Sequence, residues 1–429
     1  MKVLLLLAGR SKRFWPLTEK SFFPICGTTL LDIQIAHLKE AGLTDITLVG
    51  GAHNLPEAHS RFPSLPTIEQ KDLTLGMQGA LLSSLPHMGN EPVMVVCGND
   101  VVESHAYRDL VQASQANGVP GCLLAKECKR YFPGGYLSVE GERITGITEK
   151  PGEGNTPSDL VNIVAHVHSD PALLLAELQK TPSGNDDGYE RALTQLFSSH
   201  VYHAVPYNDP WIAVKYPWHV LALLDHLLSL IKDQTIHPSA QIHPSAIIDG
   251  PVRIAEGVRV MAHATVRGPC TIGKGSVIAN NALVRNASIG ERCVVGFGSE
   301  VKSSVLAHDV WTHMTYLGDS VIGSNVSFGG GCITGNLRLD EGEISSAVHE
   351  APVKTELKKF GAIVGNDCRF GIHVSTNPGV KVGAGSFVSA HLLLSADAPD
   401  GSFATLKNGE VVIRENRVRL EGMDRKKPH

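Results

Sequence analysis

Four cations crowd the start of this chain. Arg10, Lys12 and Arg13 follow a short apolar run, residues 3–8, and Lys20 stands seven residues beyond Arg13. Leu7, Ala8 and Gly9 form the turn between run and cations. Bare backbone N–H groups beside Lys and Arg complement a polyphosphate without needing any particular base. A buried strand followed by a basic surface turn accounts for the same residues, and both readings stand here. Residues 92–100 (PVMVVCGND) offer a second chemistry. A carboxylate at the end of an apolar strand, Asp100, suits Mg²⁺, which takes hard oxygen ligands and substrate phosphates. The same aspartate also suits the cap of a following helix.

These groups need elements to hold them. Residues 30–41 (LLDIQIAHLKEA) carry apolar side chains at helical spacing and stop at Gly42, and residues 46–49 read as a buried strand. Strand–helix–strand alternation predicts a doubly wound, Rossmann-like α/β domain with a parallel sheet. Its ligands would sit at the carboxyl ends of the strands, where the Gly9 turn lies.

From Ile236 the period changes. Ile236, Ile242, Ile248, Ile254, Val260, Val266, Ile272, Ile278 and Val284 fall at steps of six, with small residues, Gly and Pro between them. The phase slips once, to Ile289, and resumes with Val295 and Val301, then Ile322 and Phe328, and Phe370, Val382 and Val388. This is the hexapeptide repeat of a left-handed parallel β-helix, six residues per face with the aliphatic inward. Residues 217–232 (PWHVLALLDHLLSLIK) read as a helical linker.

Bulk properties exclude several classes. A formal charge of −5 disfavours a nucleic-acid polymer as partner. The eight cysteines show no C-x-x-C pair, which argues for reduced thiols in a cytoplasmic setting. No apolar span approaches the roughly 20 residues a membrane helix needs.

The first stretch resembles the L-A-A-G-x-G-T-R signature of sugar-1-phosphate nucleotidylyltransferases. Its Arg-to-Lys spacing is similar to that of the bacterial family of bifunctional N-acetylglucosamine-1-phosphate uridylyltransferase/glucosamine-1-phosphate acetyltransferases. The resemblance implies catalytic roles for Arg13 and Lys20, and nucleotide contacts from Leu7, Ala8 and Gly9. It places Gln70 and Gly76, in QKDLTLGMQGA, against uracil or thymine. Asp100 becomes the ligand of Mg²⁺. Gly135, Glu149, Lys150 and Asn162 match the family's sugar-binding glycine, E-K-P and asparagine positions. Three departures stand out: Ser11 for the second glycine, Glu19 for the proline before the lysine, and Ala213 for the second metal-binding aspartate. Asp209 replaces that aspartate only if its loop shifts.

Residues 300–336 resemble the acetyltransferase core of the same family, through T-H-M-T-Y-L-G-D and G-G-G-C-I-T-G-N. The resemblance makes His313 the general base toward the sugar amine as it attacks acetyl-CoA. Tyr316 and Asn336 would position the amino sugar, Glu300 its hydroxyls, and Lys302 with Arg285 its phosphate. Family solenoids trimerise, so a homotrimer is expected. The domain map is then 1–216 nucleotidyltransferase, 217–234 helical linker, 235–395 β-helix, and 396–429 a partly disordered extension. Residues 340–360 break the repeat as a loop ending in Lys354, Lys358 and Lys359, which reads equally as a grip on CoA phosphates or as a solvated run.

Function follows as an expectation. The partners are a nucleoside triphosphate (UTP or dTTP), a sugar-1-phosphate and acetyl-CoA. The products are a nucleotide sugar of the UDP-N-acetylglucosamine kind and pyrophosphate. The alternative is an acetyltransferase whose impaired N-terminal domain serves as a nucleotide-sugar sensor or scaffold. A third reading has the β-helix only oligomerising a nucleotidyltransferase.

Overall fold

The computed structural model describes residues 1–7, 9–182, 187–349 and 351–418. The expectations on Ala8 and on the tail beyond residue 418 lie outside the described residues. The chain divides into two compact units: Met1–Arg10 with Leu30–Ala213, and Ser11–Thr29 with Val214–His429.

In the first unit β1 (Lys2–Leu6), β2 (Ile46–Gly50), β3 (Thr67–Glu69) and β4 (Val93–Cys97) pair in parallel. Every residue of β2 is buried, as expected where helices cover both faces of a sheet. Next come β5 (Asp100–Val101), β6 (Gly121–Glu127), β7 (Gly135–Glu140), β8 (Arg143–Glu149), β9 (Leu160–His168), β10 (Tyr202–Pro206) and β11 (Ile212–Ala213). The main sheet runs β3-β2-β1-β4-β9-β6-β10-β8-β7. Because β9 is antiparallel to both β4 and β6, the Rossmann-like sheet is mixed rather than parallel throughout. The pair β5–β11 stands apart as its own ribbon.

The second unit is the left-handed β-helix. Its strands stack in parallel on three faces, with partners 18 residues apart in the first turns, for example Thr235 with Arg253, Gln241 with Arg259 and Ile247 with Thr265, and 17 or 16 apart further on, as for Thr271 with Ser288 and Glu300 with Tyr316. The aliphatics at every sixth position form one continuous core, from Ile254 through Val266, Ile278 and Val295 to Val388. Corners turn in the left-handed region: Asn281 (φ 58°), Met314 (φ 43°), His373 (φ 55°) and His391 (φ 60°). Asn tolerates that region better than most residues, and Gly fills it at no steric cost. The helix His219–Ser229 buries Val220, Leu221, Leu223, Leu224 and Leu228 in this unit.

Two boundaries differ from expectation. The rungs continue past residue 395, since Phe387 pairs with Phe403 and Val388 with Ala404, before a hairpin of Ser402–Lys407 and Glu410–Glu415 closes the stack. Residues 340–360 are no irregular loop: Ile344–Val348 and Ala351–Leu357 pair as an antiparallel hairpin, inserted where Val321 pairs with Ile363, 42 residues on. Lys354, Lys358 and Lys359 are all exposed there.

Candidate active sites

In the first unit the expected nucleotide residues gather at the carboxyl ends of the parallel strands. The Leu7 N–H donates to the Val49 carbonyl (2.7 Å), and the Leu7 carbonyl accepts from Asn54 Nδ2 (2.9 Å). Gly9 has φ 120°, a conformation L side chains rarely adopt. Gln70 is buried, with Nε2 donating to the carbonyls of Asp72 (2.8 Å) and Gly76 (2.9 Å). Its Oε1 is buried without a partner among the described residues. The amide nitrogen therefore shapes the loop, and only the oxygen is left to meet a ligand.

Asp100 opens β5 directly opposite Ala213 of β11. Its Oδ1 accepts from Trp211 Nε1 at 3.0 Å. Asp209 is engaged elsewhere, with Oδ2 3.1 Å from His105 Nε2. The position facing Asp100 is thus an alanine methyl, and the loop does not bring Asp209 in by this pairing. Among the described residues no group of three or more His, Cys, Asp or Glu side chains is arranged to hold a metal. One carboxylate still fits Mg²⁺, which keeps several waters and binds chiefly through substrate phosphates.

The sugar candidates cluster around the start of β7. Gly135 pairs with Glu149, and Tyr136 pairs both with Thr148 and with Val161, the neighbour of Asn162. Lys150 Nζ lies 2.8 Å from Glu149 Oε1, so the E-K pair is internally neutralised. Asn162 is buried on β9, and its Oδ1 meets His166 Nε2 at 2.8 Å.

Arg13 and Lys20 lie on Ser11–Thr29, which is counted with the second unit. Trp15 Nε1 donates to Asp400 Oδ1 (3.0 Å), Lys381 Nζ stands 5.0 Å from the centre of the Trp15 ring, and the Cys26 N–H donates to Ser288 Oγ (2.8 Å). These bonds explain why a segment expected inside 1–216 is fastened to the β-helix. Two of the departures from the family pattern answer each other. Ser11 adopts φ 47°, ψ 22°, the conformation a glycine would take freely, and its hydroxyl donates to Glu19 Oε1 at 3.0 Å. Glu19 Oε1 also accepts the Ser21 N–H (3.2 Å).

In the β-helix His313 sits on a corner of T-H-M-T. Both threonines are buried, while His313 and Met314 are exposed. The corner is one residue short: Val294 and Glu300 are six apart, but their partners Trp311 and Tyr316 are five apart. Main-chain bonds pin it from both neighbouring rungs. The Met314 N–H donates to Phe297 O (3.0 Å), and His313 O accepts from Gly331 N (3.3 Å) and from Thr315 Oγ1 (2.8 Å). Thr312 and Thr315 are anchored in turn to the buried Ser299 hydroxyl.

Beside it, one sheet stacks Leu283, Glu300, Tyr316 and Ile333 in register, and next to them Arg285, Lys302 and Gly318. Arg285 donates through Nε and Nη2 to Glu300 Oε1 (2.9 and 2.6 Å). Lys302 Nζ donates to Asp319 Oδ2 (3.1 Å), an oxygen that also accepts from Asn336 Nδ2, while Asn336 reaches Tyr316 Oη at 3.2 Å. A Cβ on Gly318 would lie 2.5 Å from Tyr316 Oη and 2.7 Å from Asn336 Nδ2, so only glycine lets those two side chains meet. Burial, and secondarily the charge of Asp319, raises the carboxyl pKa of Asp225 on the helix His219–Ser229. Asp319 is the residue sequence reasoning passed over. It closes the T-Y-L-G-D motif and ties the phosphate candidate Lys302 to the sugar candidate Asn336.

The chain thus joins a Rossmann-like α/β sheet to a left-handed β-helix that carries an exposed imidazole at one corner. The chain belongs to the MobA-like NTP transferase domain family, whose model matches residues 3–234. The GMPPB C-terminal domain matches residues 230–317. Over nearly its whole length the chain is similar to the bifunctional sugar-1-phosphate nucleotidylyltransferase/acetyltransferase of Sulfurisphaera tokodaii. The two are 28% identical over 413 residues, covering 94% of this chain and 99% of the relative. It is likewise similar to the bifunctional protein GlmU of Methanocaldococcus jannaschii, 28% identical over 423 residues, covering 97% of this chain and 100% of that one. Among the described residues no helix is long and apolar enough to cross a membrane.

Proposed function

We propose that the chain is a bifunctional transferase of activated amino-sugar synthesis, working as a homotrimer in the cytoplasm. At the β-helix site the amine of glucosamine-1-phosphate attacks the thioester carbonyl of acetyl-CoA. His313 takes the amine proton and CoA leaves. Tyr316 and Asn336 orient the amino sugar, Glu300 holds its hydroxyls, and Lys302 and Arg285 face its phosphate. At the nucleotidyl site a phosphate oxygen of the sugar-1-phosphate attacks the α-phosphorus of UTP or dTTP, and pyrophosphate leaves. Arg13 and Lys20 balance the charge that develops. Leu7, Ala8 and Gly9 lie along the nucleotide, Gln70 and Gly76 meet the pyrimidine, and Gly135, Glu149, Lys150 and Asn162 receive the sugar. Bound Mg²⁺, held by Asp100, would neutralise phosphate charge.

The observation that supports this reading most strongly is a joint one. The pinned His313 corner with its polar cluster and the strand-end Asp100 occur in one chain that matches bifunctional relatives end to end. Ala213 opposite Asp100 favours the second reading, in which the N-terminal domain senses a nucleotide sugar. Pyrophosphate release with Mg²⁺, UTP or dTTP and a panel of sugar-1-phosphates separates the two. Release with one pair, lost in Lys20→Ala, is the expected result. Silence with every pair, while CoA still appears from acetyl-CoA and glucosamine-1-phosphate, would establish the sensor instead.

A further inference from the structure

Asn162 is the visible end of a buried polar chain in the first unit. Its Oδ1 meets His166 Nε2 at 2.8 Å, and His166 Nδ1 meets Tyr189 Oη at 2.7 Å. Tyr189 Oη lies 3.0 Å from His168 Nε2, and His168 Nδ1 lies 3.1 Å from Tyr202 Oη. Asn162, His166 and His168 share one face of β9, with Tyr189 supplied by the helix Gly188–Ser199 and Tyr202 by β10. Gly121, opposite His168, is bare because a Cβ there would lie 2.1 Å from Tyr202 Cε1. Val96 pairs with Ala165 near the carboxyl end of β4, so the chain runs from the amino edge of the sheet toward the ligand edge.

Both imidazoles and both tyrosines are wholly buried. Burial lowers the pKa of His166 far below its usual value and that of His168 to about 3, and raises those of Tyr189 and Tyr202. Each ring therefore carries one N–H, and each phenol one O–H. Three proton arrangements satisfy every link, but the one in which both imidazoles donate to Tyr189 Oη strands the buried Tyr189 O–H with no acceptor among the described residues, so two remain. In one, Tyr202 donates to His168 Nδ1, His168 Nε2–H to Tyr189, Tyr189 to His166 Nδ1, and His166 Nε2–H to Asn162 Oδ1. The reverse puts both imidazole protons on Nδ1 and needs the Asn162 amide flipped. It also leaves the Tyr202 O–H buried, with no acceptor among the described residues, a cost the first arrangement avoids. In the first arrangement Asn162 Nδ2 carries two donors with no partner among the described residues.

We propose that this proton-ordered wire, anchored by Tyr202, holds the Asn162 amide with Nδ2 toward the sugar, so that this position reads a hydrogen-bond acceptor on the sugar-1-phosphate. The second half rests on the sugar role assigned above. Tyr202, His168, Tyr189 and His166 are positioning residues.

Selective ¹⁵N-histidine labelling of the full chain reads the tautomers without any substrate. The expected result is two non-titrating Nε2–H imidazoles between about pH 5 and about pH 9. Tyr202→Phe keeps the ring in its slot but removes the donor that sets direction. It is expected to mix the tautomers and to raise KM for the sugar-1-phosphate about three- to tenfold, with KM for the nucleotide unchanged. Asn162→Asp, which presents oxygen on both sides, should raise the same KM about tenfold. A merely structural role would lower Tm without separating the two KM values. Nδ1–H imidazoles in the unaltered protein would overturn the wire. Mixed tautomers in Tyr202→Phe with an unchanged sugar KM would overturn the sugar-reading half. Absence of turnover with every sugar-1-phosphate would overturn that half together with the nucleotidyl reading, while Nε2–H tautomers would still support the wire.

Discussion

Replacing His313 with alanine is expected to lower acetyl transfer to glucosamine-1-phosphate by about 10²- to 10⁴-fold, the range a positioned general base contributes. Pyrophosphate release in the nucleotidyl reaction should be unaffected. The substitution is well isolated. The corner is held by the main-chain bonds of Met314 and Gly331 and by the Thr312, Thr315 and Ser299 hydroxyls, none of which involves the imidazole. The side chain is exposed, so unfolding free energy should move by no more than about 0.5 kcal/mol. CoA release followed by its free thiol, beside a thermal melt, checks both statements. Full acetyl transfer in the folded variant would assign the base elsewhere, and transfer absent from the unaltered protein would leave the β-helix only oligomerising.

Ala213→Asp should have the opposite sign, raising Mg²⁺-dependent pyrophosphate release roughly tenfold. Directly opposed residues of an antiparallel pair hold their Cβ atoms about 4.5–5.5 Å apart, so carboxylates at 100 and 213 would reach one cation. Position 213 is buried, and like charges facing each other across a strand pair repel. The variant should therefore melt lower than the parent without metal and recover when Mg²⁺ is added, because a ligand that binds only the folded state stabilises it by mass action. Asp100→Asn should lose activity in either background. A melt indifferent to Mg²⁺ and an unchanged rate would show that the ribbon β5–β11 is not the metal site.

Much of the fold was legible in the sequence. The β-helix was readable because its core admits one aliphatic column per face, and the period of six resumes after the slip at Ile289. His313 stood out only through the resemblance of T-H-M-T-Y-L-G-D to the family's acetyltransferase core; that both threonines are buried around an exposed pair is what the structure adds. Local patterns also carried β1, β2 and β4, whose apolar runs need no partner to be recognised.

What escaped depends on contacts distant in sequence. Nothing near Trp15 or Cys26 announces Asp400 or Ser288 as partners, so the fastening of Ser11–Thr29 to the β-helix could not be read. Ser11 and Glu19 looked like two separate defects, and only the hydrogen bond between them makes them one feature. The hairpin at 344–357 was hidden because its polar alternation, with Lys354 exposed inside it and Lys358 and Lys359 just beyond, resembles a solvated loop. The wire behind Asn162 left one trace, an H-x-H on a strand, whose meaning needs the tyrosines at 189 and 202.

The central claim is that one polypeptide performs both transfers. The direct test supplies the purified protein with acetyl-CoA, glucosamine-1-phosphate, UTP and Mg²⁺ together and follows the nucleotide products by mass spectrometry. The account predicts UDP-N-acetylglucosamine, with CoA and pyrophosphate released in step. CoA without pyrophosphate, or pyrophosphate without CoA, would contradict it and show one of the two sites to be silent.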